Sequence, residues 1–342
     1  MNKIYTPDHP DVVRAHDLYA GIGVKTQVAK EMDISVAKAH RLLAVDTQRK
    51  ETEFETPILP DELPSAEELL ERRKHQYALK DRAEEARKLI QIKVKIDGPI
   101  GILHMGDPHV DDNGTDISAI ERHVGLINST PGLFGGNVGD SQNNWVGRLA
   151  HLFGEQSLSA AEAWVLTEWL INGVEWLYLI GGNHDVWSGA GDPLKWMTRS
   201  QVGVFEDWGA RLSLKFPNDK DVRINARHDF VGHSQWNAGH GPTKAAMMGW
   251  KDHVLIAGHK HTSAYNVVKD PASGLISHAM RVAGYKIHDR YAKQLGLPNQ
   301  NISPAFVTVI DPEYADDDPR LISTFFSPEE GAEYLTWKRK KK

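Results

Sequence analysis

The stretch WLYLIGGNHD, residues 176–185, decides how the larger part of this chain is expected to fold. It begins with five apolar residues and continues with two glycines and the polar residues Asn183, His184 and Asp185. A short apolar run that ends at glycine is typical of a buried strand. In an open α/β sheet, the loops that follow the strands lie at one edge and form the binding site. We therefore expect these polar residues to lie at such an edge.

Four further polar clusters share this arrangement, and most of them follow a short apolar run. They are GDPH (106–109), GDSQN (139–143), His228 after VRINAR, and GHKH (258–261) after HVLIA. Between about residues 100 and 311 the apolar runs alternate with helical stretches, which is typical of an α/β domain. Because strand ends meet at one edge of a sheet, the five clusters are expected to converge.

The residue types in these clusters indicate a metal site. The chain has 17 histidines, and 13 of them lie from His104 onward. Imidazole and carboxylate together suit manganese, iron or zinc better than magnesium, which prefers oxygen ligands. In Asp-x-His and His-x-His, both side chains of an extended segment would share one face. The chain has no cysteine, which excludes disulfides, thiolate ligands and cysteine nucleophiles.

The order of the clusters resembles that of the calcineurin-like metallophosphoesterase family. That family has the pattern D-x-H, G-D-x-x-D/N, G-N-H-D/E, a single histidine and G-H-x-H, and all five parts are matched within residues 100–311. The resemblance implies an α/β fold of four layers, in which two mixed β-sheets are flanked by helices. It also implies hydrolysis of phosphoesters at a site that holds two divalent ions, of which manganese is preferred and iron, zinc or nickel are alternatives.

The resemblance also implies a role for each matched residue. Asp140 would bridge the two ions, and His184 would lie beside the phosphate as a catalytic group. Asp185 is expected to orient a neighbour rather than bind metal. One ion would be held by Asp107, His109 and His261, and the other by Asn183, His228 and His259.

Two positions leave alternatives open. Asn143 stands where many members of the family have a carboxylate that holds the catalytic histidine, so His184 is expected to be a weaker base here, unless Asn144 or an acidic residue elsewhere takes that role. The single histidine could be His228, His233 or His240. His228 is favoured because it ends a strand-like alternation.

Other residues near the clusters are weaker candidates. His104 and His253 lie in or beside apolar runs and are expected to be core residues. Trp145 and Trp187 are the two tryptophans considered as platforms for base stacking, although core or interface roles are favoured for tryptophans in general. Four cations are considered as phosphate contacts, although each is expected to be an ordinary surface residue: Arg148, Lys260, Arg281 and Lys286.

Residues 1–50 are expected to form a separate helical module. A helix at Thr26–Met32, a turn at Asp33-Ile34 and a helix from the N-cap Ser35 to about Ala44 resemble helix-turn-helix domains of resolvases and small repressors. That resemblance implies DNA binding through Ser35, Lys38 and Arg41. The alternative is a helical bundle for oligomerisation or docking.

The remaining organisation follows from composition. We predict an acidic linker and a charged helix over residues 51–97, the catalytic domain over 98–312, and a C-terminal helix with a basic tail over 313–342. The net charge is −6, so binding to nucleic acid requires a local basic surface. No apolar stretch of 18 residues and no secretion signal are recognised, so the expected location is a cytoplasm without membrane partners.

Three functions are compatible with this sequence. The first is a phosphodiesterase or nuclease that the N-terminal module brings to DNA, as expected of a bacteriophage or prophage protein acting in the cytoplasm of a bacterial host. The second is a broad-specificity or nucleotide phosphatase whose module serves localisation or assembly. The third is a DNA-binding regulator with an inactive metal domain. The partner would be DNA or a nucleotide phosphoester, and an oligomer is compatible with each.

Overall fold

The computed structural model describes residues 5–45, 63–145, 147–186, 193–199, 201–234, 236–289, 293–294, 296 and 304–341. The chain divides into two compact units, residues 1–72 and 73–342. Most of the predicted acidic linker and Trp187 lie outside the described residues. The predicted domain limits at 50, 97 and 312 therefore stay predictions.

The first unit contains three short helices, and the second and third correspond to the two that the sequence predicts. They are α1 (Pro10–Ile22), α2 (Lys25–Glu31) and α3 (Val36–Leu43). Ser35 is the N-cap of α3, because its hydroxyl accepts a hydrogen bond from the backbone N–H of Lys38 at 3.2 Å. The fully buried side chains of this unit include Val12, Ala15, Val28, Ala39 and Leu42.

The charged helix α4 (Ala66–Arg87) also forms where it is expected. Its first turn has a capping box: Ser65 accepts from the N–H of Glu68 at 3.2 Å, and the Glu68 carboxylate accepts from the N–H of Ser65 at 3.0 Å. None of its residues is buried, which agrees with the alternation of acids and bases along it.

Two mixed six-stranded sheets form the centre of the second unit. The first sheet has the order β1 (Ile90–Lys93), β6 (Gly209–Lys215), β7 (Asp221–Arg227), β8 (Val254–Ala257), β10 (Ile276–Arg281), β9 (Ala264–Lys269). The second has the order β12 (Ile322–Phe325), β11 (Phe306–Ile310), β2 (Ile100–Met105), β3 (Leu133–Asn137), β4 (Trp176–Gly181), β5 (Val204–Asp207). The strands β2 to β5 are parallel to one another.

Helices cover the outer faces of both sheets. Between β4 and β5 the chain forms two short helices, α7 (Asn183–Val186) and α8 (Pro193–Thr198). Apolar side chains from both sheets form a core in the space between the sheets. The predicted four layers, two mixed β-sheets flanked by helices, are confirmed. The longer helices α5 (Ile117–Ser129), α6 (Ala160–Asn172) and α10 (Pro328–Lys340) pack against the second sheet, and α9 (His240–Met248) packs against the first.

The burial of strand β2 on both faces explains why most of its residues are apolar. Ile100 and Ile102 belong to the core between the sheets, whereas Leu103 and Met105 belong to the core beneath the helices. A strand buried on both faces requires an unbroken apolar run rather than alternation. His104 is the polar exception. It bonds the Tyr178 and Thr308 hydroxyls at 2.6 and 2.7 Å, and burial lowers its pKa to about 3.

The prediction that His104 and His253 are core residues is confirmed. Both are almost fully buried, and His253 Nδ1 accepts a hydrogen bond from the backbone N–H of Arg223 at 3.0 Å. Part of the basic tail is packed against the domain. Lys338 pairs with Asp311 at 2.7 Å, and Arg339 donates to the carbonyl of Pro99 at 2.6 Å. Since α10 lies on the second sheet, its last turn reaches groups of the domain.

No helix in the described ranges is both long enough and apolar enough to cross a membrane.

Candidate metal centre

The predicted ligands come from loops that follow five strands, three in the second sheet and two in the first. The loops after β2, β3 and β4 carry Asp107 and His109, Asp140, and Asn183. The loops after β7 and β8 carry His228, and His259 with His261. Backbone hydrogen bonds join these loops: the N–H of His109 donates to the carbonyl of Asp140 at 3.1 Å, and that of Gly258 donates to the carbonyl of His228 at 3.1 Å.

The side chains of these loops form three overlapping clusters. Within each cluster the candidate ligand atoms lie within 4.8 Å of one another. Asn183 joins the third cluster, because its side-chain oxygen lies 2.8 Å from His228 Nε2. The structure thus brings all seven predicted ligands together. The clusters are Asp107–His109–His261, His109–Asp140–His184 and Asp140–His228–His259.

The donors fit divalent cations. His109 is 3% exposed, and its Nδ1 has no hydrogen-bond partner among the described residues. A buried nitrogen without a partner is costly, and a bound cation would satisfy it. Burial, reinforced by the neighbouring His184, lowers the pKa of His109 well below its ordinary value. The imidazole is therefore neutral and has a lone pair to offer, as a metal ligand requires.

Five of the seven candidate ligands have a left-handed backbone. Their φ angles lie between 40° and 67°, a region that residues other than glycine rarely occupy. The sequence-based expectation that Asp-x-His and His-x-His lie on extended segments was therefore wrong, since these loops turn tightly. Strained backbone of this kind is concentrated at functional sites. The five residues are Asp107, His109, Asp140, His259 and His261.

Asp185 organises the loops around Asp140. Its carboxylate accepts from the backbone N–H groups of Asp140, Ser141 and Gly182 at 2.7, 3.1 and 2.8 Å. Burial and the nearby Asp140 carboxylate raise the pKa of Asp185 to about 7. The contacts agree with the prediction that Asp185 orients a neighbour, because both of its oxygens face backbone donors.

His184 lies beside the metal ligands and is fixed at one ring nitrogen. Its Nδ1 donates to the backbone carbonyl of Asn143, and its backbone N–H donates to Asp140 at 2.9 Å. Its ring lies 5.0 Å from that of His109 and 5.4 Å from that of Trp145. Because a carbonyl only accepts, Nδ1 carries the proton and Nε2 is the nitrogen that can exchange one with a ligand.

The expected side-chain contact between Asn143 and His184 does not form. The Asn143 amide donates instead to Asp112 at 3.0 Å and to Gln156 at 3.4 Å. The alternative, Asn144, donates to the backbone carbonyl of His184 at 2.8 Å and does not hold the ring either. A main-chain carbonyl takes the place of the expected side chain, which a sequence pattern cannot reveal.

The geometry favours His228 over the other two histidines considered for the single-histidine position. His228 lies in the cluster with Asp140 and His259, and its Nδ1 bonds the carbonyl of Val138 at 2.9 Å. His233 instead bonds Lys260 at 2.9 Å, and His240 is the first residue of α9.

Two of the four candidate phosphate cations are buried, contrary to expectation. Arg281 is 1% exposed and donates to the carbonyls of Gly258 and Ala238 and to the Asp229 carboxylate. It therefore holds the loops that carry His228 and the 259–261 ligands, and it is not a surface cation.

Lys286 is the second buried cation. It is paired with Asp112 at 2.8 Å and with Asp289 at 3.4 Å. Lys260 is partly exposed and lies 3.5 Å from Asp229. The side chain of Arg148 and the whole of Trp187 lie outside the described structure.

We expect Arg281→Met to lower the free energy of unfolding by as much as about 3–5 kcal/mol, the range for removing one partner of a buried ion pair. The Asp229 oxygen 2.8 Å from Arg281 would lose its closest cation. Urea unfolding followed by circular dichroism measures the change. Arg320→Met is the matched control: its pair with Asp318 is largely exposed, so a far smaller change is expected. Equal losses in the two variants would contradict the structural role of Arg281.

Comparisons with known proteins assign no family to this chain. No protein-family model matches the sequence, and the curated proteins contain no significant match. Among solved structures, the chain is similar to the NAD nucleotidase NadN of Haemophilus influenzae at 12% identity and a TM-score of 0.37, covering 66% of this chain and 49% of that one, about half its length.

Two further solved structures show similarity at the same low level. Vacuolar Protein Sorting 29 of Cryptosporidium parvum matches at 12% identity and a TM-score of 0.35, covering 67% of this chain and 97% of that one. The calcineurin-like phosphoesterase YfkN of Bacillus subtilis matches at 12% identity and 0.32, covering 71% and 97%. Similarity this low assigns no family, and the chemistry of the site follows from its own residues.

Proposed function

We propose that this chain is a phosphoesterase that depends on divalent metal ions and cleaves phosphodiester bonds, with DNA as the associated nucleic acid. One observation carries the proposal: seven donors from five loops converge at the edge of both sheets, and a further histidine lies beside them. Two divalent ions at such a centre supply charge stabilisation for a phosphoryl group and a nucleophile at neutral pH.

The clusters suggest how the donors are divided. Asp140 belongs to two of the three clusters, which supports a shared position between the ions. The first ion would be held by Asp107, His109 and His261, and the second by Asn183, His228 and His259. Manganese is the proposed metal, because imidazole and carboxylate ligands suit it; iron, zinc and nickel are alternatives.

His184 is proposed to protonate the leaving oxygen. Its Nδ1 proton is bound by the Asn143 carbonyl, so a second proton on Nε2 would be available to the substrate. The same contact fixes the orientation of the ring, so that Nε2 is the nitrogen that would face the leaving oxygen.

An activity panel on the full chain tests this function. With manganese present, a phosphodiester and single- or double-stranded DNA are expected to be cleaved, and chelator should stop the reaction. Turnover confined to a phosphomonoester would favour the phosphatase alternative. Metal binding without hydrolysis of any of these compounds would favour a DNA-binding regulator.

We propose that the first unit binds DNA through α3, where Lys38 and Arg41 lie one turn apart on the helix that Ser35 caps. Lys38→Ala with Arg41→Ala is expected to weaken binding. The slope of log affinity against log salt should become shallower by about 0.9 for each DNA phosphate that the variant no longer neutralises. Fluorescence anisotropy with a labelled duplex at several salt concentrations measures both effects.

Two control experiments test whether the effect on DNA binding is specific to α3. Arg14→Ala with Lys30→Ala removes the same charge from α1 and α2, and it should change the affinity less. Lys38 is paired with Asp11 at 3.2 Å, so Asp11→Asn should strengthen DNA binding by releasing that lysine. Equal losses of DNA affinity in both double variants would favour an assembly or docking role for the first unit.

A further inference from the structure

A cavity of about 130 Å³ lies on the His184 side of the metal centre. The Trp145 ring, which lines it, is 5.4 Å from the ring of His184. Asn144 also lines it and donates to the His184 carbonyl at 2.8 Å. The cavity and the candidate acid therefore share one wall. Its other lining residues include Asp111, Gln142, Phe153, Gln156 and Trp164.

The polar groups of this cavity are suited to a ligand. Gln142 is 2% exposed, and within the described part of the chain its side-chain amide makes no hydrogen bond. Asp111 is equally buried, and one of its oxygens accepts from the N–H of Asn143 at 2.7 Å. The Gln142 amide therefore has no bond to a described residue that a ligand would have to break, and its donor and acceptor atoms can bond a molecule that enters the cavity.

The size of the cavity restricts its occupant. Pockets that hold a whole drug-sized molecule measure about 300–1,000 Å³, whereas an engineered cavity of about 150 Å³ holds one benzene ring. A cavity of about 130 Å³ therefore suits one six-membered ring. Three aromatic residues line it, namely Trp145, Phe153 and Trp164, and such surfaces favour a planar ligand.

We infer that this cavity binds the base of a pyrimidine nucleotide whose phosphoester lies at the metal centre. The inference deepens the proposed function and rests on it. The edge of a pyrimidine base presents a donor beside an acceptor, as in the amine and ring nitrogen of cytosine. The Asp111 carboxylate accepts from the donor, and the Gln142 amide donates to the acceptor. The Trp145 ring offers a face on which the base stacks.

Binding of free nucleosides tests the cavity without any hydrolysis. Saturation-transfer NMR on the full chain without metal should show saturable binding of cytidine and thymidine, and weaker binding of adenosine and guanosine. Trp145→Leu is expected to weaken pyrimidine binding at least about 5-fold, the lower end for loss of one base–aromatic stack. Gln142→Leu should weaken it as well.

Two further variants of α6 distinguish an effect on the cavity from a general effect on that helix. Ala163→Met on α6 places a larger apolar side chain in the lining of the cavity without removing a polar group, and it should abolish nucleoside binding. Trp169→Leu, on the same helix but outside the cavity, is the matched control and should bind like the unmodified chain. Binding that is indifferent to Ala163→Met, or equal for purines and pyrimidines, would overturn the inference.

Hydrolysis then distinguishes this inference from the proposed function. With manganese, kcat/KM for the 4-nitrophenyl ester of thymidine 5′-phosphate should exceed that for bis(4-nitrophenyl) phosphate, which has no base. Ala163→Met should lower this ratio at least about 5-fold. Equal kcat/KM values for both esters would contradict binding of the base in the cavity. They would not contradict the phosphoesterase activity. Nucleoside binding without hydrolysis of either ester would overturn the phosphoesterase and leave a nucleoside site.

Discussion

Asp140→Asn is expected to abolish turnover and to reduce the bound metal from about two ions per chain to one or fewer. Asp140 is 2% exposed, belongs to two of the three clusters and lies 3.3 Å from His228 Nε2. Asparagine keeps the shape but removes the negative charge that two cations would share. The loss of metal affinity should exceed the roughly 10–100-fold that is typical when only the partner of a ligand is changed. Elemental analysis and calorimetric titration with manganese measure it.

The control for this variant is Asp270→Asn. Asp270 is paired with Lys251 at 2.8 Å at the turn that follows β9, and it belongs to none of the three clusters. The Asp270→Asn variant should bind as much metal and turn over substrate as fast as the unmodified chain. Full metal content in Asp140→Asn, or full activity of the unmodified chain in excess chelator, would end the two-metal proposal.

His184→Ala is expected to keep most of its metal and to lose at least about 100-fold in kcat, the lower end for a general acid. His184 is held through Nδ1 by the Asn143 carbonyl, so its removal takes away a positioned proton donor. The loss should be smaller for a nitrophenolate leaving group, which needs no proton, than for an alkoxide. Steady-state kinetics with a pair of esters that differ in the leaving group measures the difference.

Another histidine of the chain serves as the control. His75→Ala changes an exposed position on α4 and should leave kcat unchanged. Equal losses for good and poor leaving groups in His184→Ala would argue against proton donation. Loss of metal in that variant would make His184 a ligand, a role that its cluster with His109 and Asp140 also permits.

Much of the fold was predictable because apolar runs and capping signals act locally. The mostly apolar run of β2 indicates a strand buried on both faces, and the serine and glutamate spacing of Ser159 and Glu162 is a local signal for the start of α6. The convergence of the donors was predictable too, since each follows a strand end and strand ends share an edge.

The details that the sequence could not supply depend on the main chain or on distant packing. The ring of His184 is held by a backbone carbonyl, and every residue has one, so no residue type indicates it. Aspartate and histidine usually have negative φ angles, so the left-handed turns at Asp107 and His259 follow from the loops around them and not from the residue types alone. Arg281 was expected at the surface because an arginine in a strand does not show which carbonyls it will meet.

The origin of the donors in two different sheets has a mechanical consequence. Asp107, His109, Asp140 and Asn183 follow strands of the second sheet, whereas His228, His259 and His261 follow strands of the first. Each ion would therefore act as a cross-link between layers that otherwise meet mainly through apolar contacts. Ligand bound only to the native state adds about 2.7 kcal/mol of stability at about 100 times its dissociation constant. If the domain binds these ions, its resistance to heat and proteases would depend on the supply of metal in its surroundings.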